Sequence, residues 1–217
     1  MNKIELPEKK YVACLDVHAQ KSFTPLCSDE IPVPDGHLIV DELNLQSKYA
    51  SCRIGVKEAH HPDAVWVADE NKPMLTPIKG EEVDVTWPAH SIVGTKGFEL
   101  LDGLPEITEY DYYVWQGVEL NMHPYGNCYH DLNETMSTGI IEFLQIRGVT
   151  HVVVGGLAAD YCVKVTVLQL LRAGFSVVVN LGACRGATPE TTEQAKDKMI
   201  SAGAELVASA KDLIQQS

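Results

Sequence analysis

This sequence lacks several patterns that would place it at once in a large functional class. It has no P-loop and no G-x-G-x-x-G segment, which argues against the binding of nucleotide phosphates. No apolar run reaches the length of a transmembrane helix, and the first ten residues contain no apolar signal-peptide core. Positive charge is scarce, because 17 lysines and arginines face 30 acidic residues and give a formal net charge of −13. That charge argues against nucleic acid or an anionic membrane as the main partner.

The cysteines show no paired spacing. No C-x-x-C pair or zinc-finger spacing occurs among them. The missing signal core predicts a cytoplasmic protein, and in that compartment scattered cysteines are expected to be free thiols. The six cysteines stand at positions 14, 27, 52, 128, 162 and 184.

Strand patterns and helix patterns alternate along the whole chain. This alternation predicts an α/β fold, with a three-layer, doubly wound and mostly parallel sheet that carries helices on both faces. Because 217 residues suffice for one large domain and neither a repeat nor a linker is visible, residues 1–217 are expected to form a single domain. Strands are predicted at 11–17, 52–59, 110–117, 150–154, 175–180 and 204–208, helices at 37–51, 132–148, 163–174 and 190–202, a turn at 181–190 and a frayed tail at 211–217.

Cys162 lies where a buried strand passes into a helix. The small residues of the segment GGLAADYCV, 155–163, let backbone N–H groups approach a ligand. A thiol at a helix N-terminus feels the positive end of the helix dipole, which favours the thiolate, and the same N–H groups could hold an oxyanion. The arrangement suits a nucleophilic cysteine, and the alternative is a cysteine that only packs in the core.

Two other polar residues share the strand-end position of Cys162. Asp16 ends the first predicted strand, and Gln116 ends the strand 110–117. In an open parallel sheet, the carboxyl ends of the strands border the ligand crevice, so Asp16, Gln116 and Cys162 could converge there. For Asp16, a solvated loop acid is the alternative.

A possible metal site is formed by Glu58, His60 and His90. Glu58 and His60 are two residues apart, so in an extended segment both side chains point to the same side. With His90 they would supply three ligands and leave positions open. The alternative is that histidines near the proline turn at Pro62 bind nothing.

Four motifs, in order, resemble the nicotinamidase branch of the isochorismatase-like cysteine hydrolases. The resemblance extends over nearly the whole chain. GGLAADYCV resembles the family's G-[GL]-A-x-D-x-C-V signature, and TWPAHSIVGTKGFEL, 86–100, resembles W-P-x-H-C-x-x-G-T-x-G-x-E-L. LDVHAQKSF, 15–23, resembles the start D-V-Q-N-D-F, and IPVPDG, 31–36, the loop V-P-G-G.

The resemblance implies an isochorismatase-like fold and an amidohydrolase that converts nicotinamide to nicotinate and ammonia. It implies Cys162 as the nucleophile of a thioester and Asp16 as the acid and base. The N–H groups of Ala158 and Cys162 would form the oxyanion hole, and the peptide before Ala158 would be cis. Phe23 and Trp87 match the aromatic residues that sandwich a pyridine ring.

The same resemblance implies a divalent metal ion at Glu58, His60 and His90, with Glu in place of the family's Asp. Zinc is the expected ion, with manganese or iron as alternatives. A second register would place His61 on the family's histidine and Ala59 on its aspartate. The first register keeps a carboxylate and is preferred.

Gln116 departs from the family, which has lysine at that position. Lysine supplies a positive charge that favours both thiolate and carboxylate, whereas glutamine supplies only hydrogen bonds. A less acidic Cys162 and slower acylation are therefore expected. The alternatives are a catalytically silent homologue that binds a pyridine or a partner, and a related hydrolase of another small amide. A small-molecule substrate is expected, and a homo-oligomer is left open.

Overall fold

A computed structural model describes residues 3–80 and 82–216. Within this part of the chain, a π-helical turn at Ala159–Val163 connects a central strand to the helix that follows it. The strands are β1 (Ile4–Leu6), β2 (Val12–Val17), β3 (Cys52–Glu58), β4 (Tyr112–Gln116), β5 (His151–Leu157), β6 (Ser176–Arg185), β7 (Glu205–Val207) and β8 (Leu213–Gln215). The α-helices are α1 (Val40–Gln46), α2 (Ile140–Ile146), α3 (Lys164–Arg172) and α4 (Pro189–Ser201).

Six strands form one parallel sheet in the order β4-β3-β2-β5-β6-β7. From β2 the chain builds outward through β3 and β4, and it then returns to place β5 on the other side of β2. The strand order therefore reverses between β2 and β5. In an open α/β sheet, the crevice at the carboxyl ends of such a pair is where ligands bind. At this pair Gly156, with φ of +135°, lets the strands approach, since a Cβ there would lie 2.0 Å from the carbonyl oxygen of Val17.

Both faces of the sheet are covered. On one face, Leu15 and Val154 pack with Leu144 of α2, Leu170 of α3 and Met199 of α4. On the other face, α1 supplies Leu43 and Leu45, which pack with Leu157 and with Cys14, respectively. The mostly parallel, doubly wound α/β fold is thus confirmed.

Several element boundaries differ from the sequence-based expectation. β6 continues to Arg185, so the turn predicted at 181–190 is wrong for its first half. The frayed tail is also wrong, because β8 pairs with β1 in a two-stranded parallel sheet, with Ile4 opposite Leu213. That pairing buries both side chains, a long-range contact that local pattern does not reveal.

Two helices are shorter than predicted. The pattern at 37–51 contains only the two turns of α1, with 3₁₀ turns on either side. The pattern at 132–148 contains only α2, because the Asp131 carboxylate accepts the backbone N–H groups of Thr135 and Met136 and holds that segment as a loop.

Among the described residues, no helix has the length and apolarity needed to cross a membrane. The prediction of one domain over 1–217 remains a prediction, and residues 1, 2, 81 and 217 lie outside the described part.

Candidate active site

A cleft opens at the carboxyl ends of β2, β3 and β5, where the strand order reverses. The space between its walls amounts to about 540 Å³, with open solvent included. Its walls are largely apolar, and a few polar groups point into it. Among the lining residues are Phe23, Glu58, Trp87, His90, Ala158 and Cys162.

Cys162 lines this cleft and is 6% exposed. It belongs to the π-helical turn that precedes α3, and the peptide bond before Ala158 is cis, as the sequence resemblance implied. Burial, followed by the nearby Glu58 carboxylate, raises the pKa of the Cys162 thiol well above its usual value. The backbone N–H groups of Ala158 and Cys162 lower this pKa, but by less. The thiolate expected from the helix dipole is therefore not the resting form of Cys162.

Asp16 lies on the opposite face of the sheet from Cys162. Its neighbours Leu15 and Val17 pack in the same apolar cluster as Cys162, and side chains alternate along a strand. Its carboxylate pairs with the Arg53 guanidinium at 2.6 Å. It also accepts hydrogen bonds from Tyr110 and Gln46 at 3.0 and 3.4 Å. The expectation that Asp16 takes the proton of Cys162 is thereby corrected, because strand alternation directs its side chain away from the cleft.

His18 lies where Asp16 was expected. One of its ring nitrogens, an oxygen of Glu58 and the Cys162 sulfur all lie within 4.8 Å of one another. His18 follows β2 with φ of +43°, a conformation that few residues other than glycine adopt. A signal for it was present in the sequence. The family's start D-V-Q-N-D-F places its first Asp five residues before Phe, and the residue five before Phe23 is His18.

Gln116 and Asn127 fix the tautomer of His18. Gln116 donates through Nε2 to the carbonyl oxygens of Gly126 and Tyr129 at 2.6 and 2.7 Å, so its Oε1 must point the other way. Asn127 donates to that Oε1 at 2.9 Å, and the same Nδ2 lies 2.8 Å from His18 Nε2. Because Asn127 presents an N–H there, neutral His18 accepts at Nε2 and carries its proton on Nδ1.

The Nδ1 atom of His18 lies 3.4 Å from Glu58 Oε1. Burial lowers the pKa of His18, which favours the neutral ring. For Glu58, burial alone would raise the carboxyl pKa, but positive charge on the His18 and His60 rings, when they are protonated, outweighs burial and lowers it well below its usual value. The site therefore combines a buried carboxylate, an imidazole N–H and a thiol.

Glu58, His60 and His90 converge as the spacing predicted. Glu58 Oε2 lies 3.0 Å from His60 Nε2 and 2.9 Å from His90 Nε2. The other nitrogen of each ring faces a backbone carbonyl, Gly117 for His60 at 2.8 Å and Pro88 for His90 at 2.7 Å. Those carbonyls require Nδ1–H, so neutral rings present lone pairs at Nε2 to an oxygen that is itself an acceptor. A divalent cation between them would satisfy all three atoms, and the donor set fits one.

His61 is the alternative ligand of the second register. Its side chain is 48% exposed and lies next to Asp63. The structure thus brings His60, and not His61, to Glu58. The amide of Gln20 supports this arrangement, because it bonds both the N–H and the carbonyl oxygen of Glu58, at 2.7 and 2.9 Å.

His123 is a residue of this site that sequence reasoning missed. Its ligand nitrogen lies within 4.8 Å of those of His60 and His90. It follows β4 in a segment without clear periodicity, so no local signal marked it. Its ring stacks on Trp87 with centroids 5.9 Å apart, and it lines the cleft.

The two predicted aromatic residues are both at the cleft. Phe23 stacks on His18 at 5.8 Å and meets the edge of His90 at 5.7 Å. Trp87 donates from its indole nitrogen to the Tyr125 hydroxyl at 3.1 Å. These contacts give the cleft flat aromatic walls beside Cys162.

Comparison with known proteins identifies relatives of one kind. The family model described as the isochorismatase domain matches residues 127–211. The nicotinamidase of Acinetobacter baylyi is 27% identical over 131 residues, which are 60% of this chain and 60% of that protein. The Escherichia coli nicotinamidase is 27% identical over 81% of this chain and 85% of that protein.

Solved structures agree with the sequence relatives. A nicotinamidase/pyrazinamidase of Acinetobacter baumannii superposes with a TM-score of 0.84 at 26% identity, covering 94% of this chain and 98% of that one. The pyrazinamidase of Pyrococcus horikoshii, in complex with zinc, has a TM-score of 0.72 at 25% identity, covering 91% and 98%. These relatives are nicotinamidases and pyrazinamidases, and the chain is similar to them in sequence and in fold.

Proposed function

We propose that this protein hydrolyses nicotinamide, or a closely similar flat heteroaromatic amide, to the acid and ammonia through a thioester on Cys162. The observation that carries the proposal is the placement of Cys162 in an aromatic cleft, with Glu58 and His18 within 4.8 Å of its sulfur. A thiol, a carboxylate and an imidazole N–H that could exchange a proton through one water form the set that covalent amide hydrolysis needs. In an organism that makes nicotinate in this way, the reaction would serve NAD salvage.

The Cys162 sulfur would attack the carboxamide carbon, and its proton would pass to the Glu58–His18 pair. That pair, 3.4 Å apart, would return the proton to the departing nitrogen, so that ammonia leaves and the thioester remains. The N–H groups of Ala158 and Cys162 would bind the oxyanion, a contribution of a few kcal/mol for each donor in such sites. Water would then attack the thioester carbon and give one proton to the pair, and that proton would pass to the departing sulfur, which releases the acid and restores the thiol. Gln116 would act through Asn127 by holding His18 in its Nδ1–H form.

The residues that would hold a divalent metal ion are Glu58, His60 and His90. When bound, such an ion would supply an electrophilic centre for a ring nitrogen of the substrate. Zinc suits a set rich in imidazole, and manganese or iron are the other candidates. Phe23 and Trp87 would bind the ring between them and orient the amide toward Cys162.

The test is ammonia release from nicotinamide by the purified protein, with zinc or manganese present. We expect release that is lost in Cys162→Ala and in His18→Ala. The matched control is Asp16→Asn, which changes a buried carboxylate on the other face of the sheet and should keep activity in the folded protein. Loss of activity in Asp16→Asn with full activity in His18→Ala would contradict the roles assigned here.

A second function is favoured by the two neutral residues at His18 and Gln116. They stand where the sequence resemblance places charged residues, and Cys162 rests as a thiol. A protein that binds a pyridine amide without cleaving it would show saturable nicotinamide binding and no ammonia release. If the protein prefers another amide, ammonia release would be measured with that compound and not with nicotinamide. Cytoplasmic location and oligomeric state remain predictions.

A further inference from the structure

His123 is buried and has no hydrogen-bond partner for either ring nitrogen. It is 3% exposed, and neither Nδ1 nor Nε2 has a partner. A buried polar atom without a partner costs about 1–3 kcal/mol, and such atoms call for an explanation. Most buried histidines bond a backbone group or a carboxylate, as His60 and His90 do here.

His123 is packed among the rings of two of the predicted metal ligands. Its ring packs against the rings of His60 and His90, with centroids 5.5 and 5.8 Å away. A neutral imidazole with a free lone pair is the form that binds a transition metal.

The ligand atoms of His60, His90 and His123 lie within 4.8 Å of one another. Two nitrogens bound to one zinc ion at about 2.1 Å can be at most about 4.2 Å apart. Three nitrogens arranged around one ion at that distance can be at most about 3.6 Å from one another, so those of His60, His90 and His123 would have to close by up to about 1.2 Å around a shared ion. Glu58 Oε2 lies 3.0 Å from His60 Nε2 and 2.9 Å from His90 Nε2, so it could join these two histidines at a shared ion.

We propose that His123 is a fourth protein ligand of the divalent metal ion, joining Glu58, His60 and His90. The proposal extends the metal role given under Proposed function and rests on it. His123 reaches the site from the loop after β4, whereas Glu58 and His60 come from β3 and its extension. Farther along the chain from His60, the ring of Trp66 meets the edge of the His60 ring, with centroids 4.6 Å apart.

Ligation by His123 would also connect the metal to the substrate wall. His123 stacks on Trp87, so an ion that fixes the His123 ring would fix the indole against which a substrate ring would lie. The ion would then order the cleft through two aromatic residues in addition to any direct contact with a substrate.

The test compares zinc binding by the full-length protein and three variants after removal of metal with a chelator. Affinity is measured by competition with a chromophoric chelator, and cobalt absorption reports the ligand set. His123→Phe removes both nitrogens and keeps a ring on Trp87. His123→Cys supplies another zinc ligand. His61→Ala, which alters the exposed histidine beside His60, is the control.

We expect His123→Phe to lose at least tenfold in zinc affinity, since even loss of an outer-shell partner costs 10- to 100-fold. We expect His123→Cys to recover part of that loss with a changed cobalt spectrum, and His61→Ala to match the parent. Metal-free His123→Phe should unfold at the same temperature as the metal-free parent or higher, because it removes two unpaired buried atoms.

Two results would overturn the proposal. One is zinc affinity in His123→Phe within twofold of the parent. The other is a parent protein that binds no zinc. If that protein still releases ammonia without metal, the amidase proposal remains intact. Zinc binding that depends on His123, in a protein that releases no ammonia from any amide, would support this inference while the proposed activity fails.

Discussion

The exchange of His18 and Gln116 for a charged pair gives the sharpest test of how this site works. From the sequence alone, Gln116→Lys would be expected to improve catalysis. The structure predicts otherwise, because the titratable side chain beside Gln116 is the neutral ring of His18, with Nε2 3.4 Å from Oε1. A lysine placed there would be a buried cation without the acid that the family pairs with it.

The magnitudes follow from these distances. Two unit charges about 4 Å apart interact by about 4 kcal/mol at an effective dielectric constant of 20. In His18→Asp, a new carboxylate would lie beside Glu58, at a position now 3.4 Å from Oε1, and repel it by a similar amount. In the double variant His18→Asp/Gln116→Lys, attraction between the new carboxylate and the new ammonium group offsets most of that repulsion. We expect both single variants to be destabilised and the pair to show a coupling energy of about 2–3 kcal/mol.

The assay is urea unfolding of the parent, both single variants and the double variant, each freed of metal so that bound ions do not mask the carboxylates. Ammonia release by the same four proteins is measured with zinc restored. We expect the double variant to exceed both single variants in each assay. A coupling energy below about 0.5 kcal/mol, or a gain of activity in Gln116→Lys alone, would refute the account of the His18–Gln116 contact.

Two further predictions concern stability. Asp16→Asn removes the carboxylate that pairs with Arg53 and should lower the free energy of unfolding by about 3–5 kcal/mol, the usual cost of breaking a buried pair; an unchanged urea midpoint would contradict this. Burial lowers the pKa of Lys57 to about 8, so the folded state prefers the neutral amine and stability should rise with pH between 8 and the usual value of 10.5. Because the cleft beside Lys57 admits water, we expect the free energy of unfolding to rise by only about 1–2 kcal/mol. The rise should be absent in Lys57→Met, and equal pH profiles for the two proteins would contradict the prediction.

The sheet and the position of Cys162 were predictable because both depend on local pattern. The β-branched run 150–154 is buried in β5, and the small residues after it form the turn that carries Cys162. Glu58 and His60 were also predictable as partners, since residues two apart in an extended chain share a side. Thr188 caps α4 by accepting from the Thr191 N–H, and Pro189 follows it at the first helical position.

For Asp16, the alternation of side chains along the strand and the resemblance to the family led to different predictions. Period-two alternation with Leu15 and Val17 directs its side chain away from Cys162, whereas motif matching favoured it as the catalytic acid. The chain brings His18 to the cleft through a backbone with positive φ after β2. No hydrophobic pattern reports such a conformation, and only the spacing to Phe23 hinted at it.

The sequence by itself determined the parallel sheet, its carboxyl edge and the cysteine at that edge, because these follow from strand periodicity, turn residues and buried apolar runs. Tertiary structure alone decided which polar side chains meet there. His123 comes from a loop 63 residues after His60, and Asn127 reaches His18 across 109 residues. Such contacts depend on the packing of loops whose sequences carry no period, and hydrogen-bond partners then fix which nitrogen of each histidine faces the site.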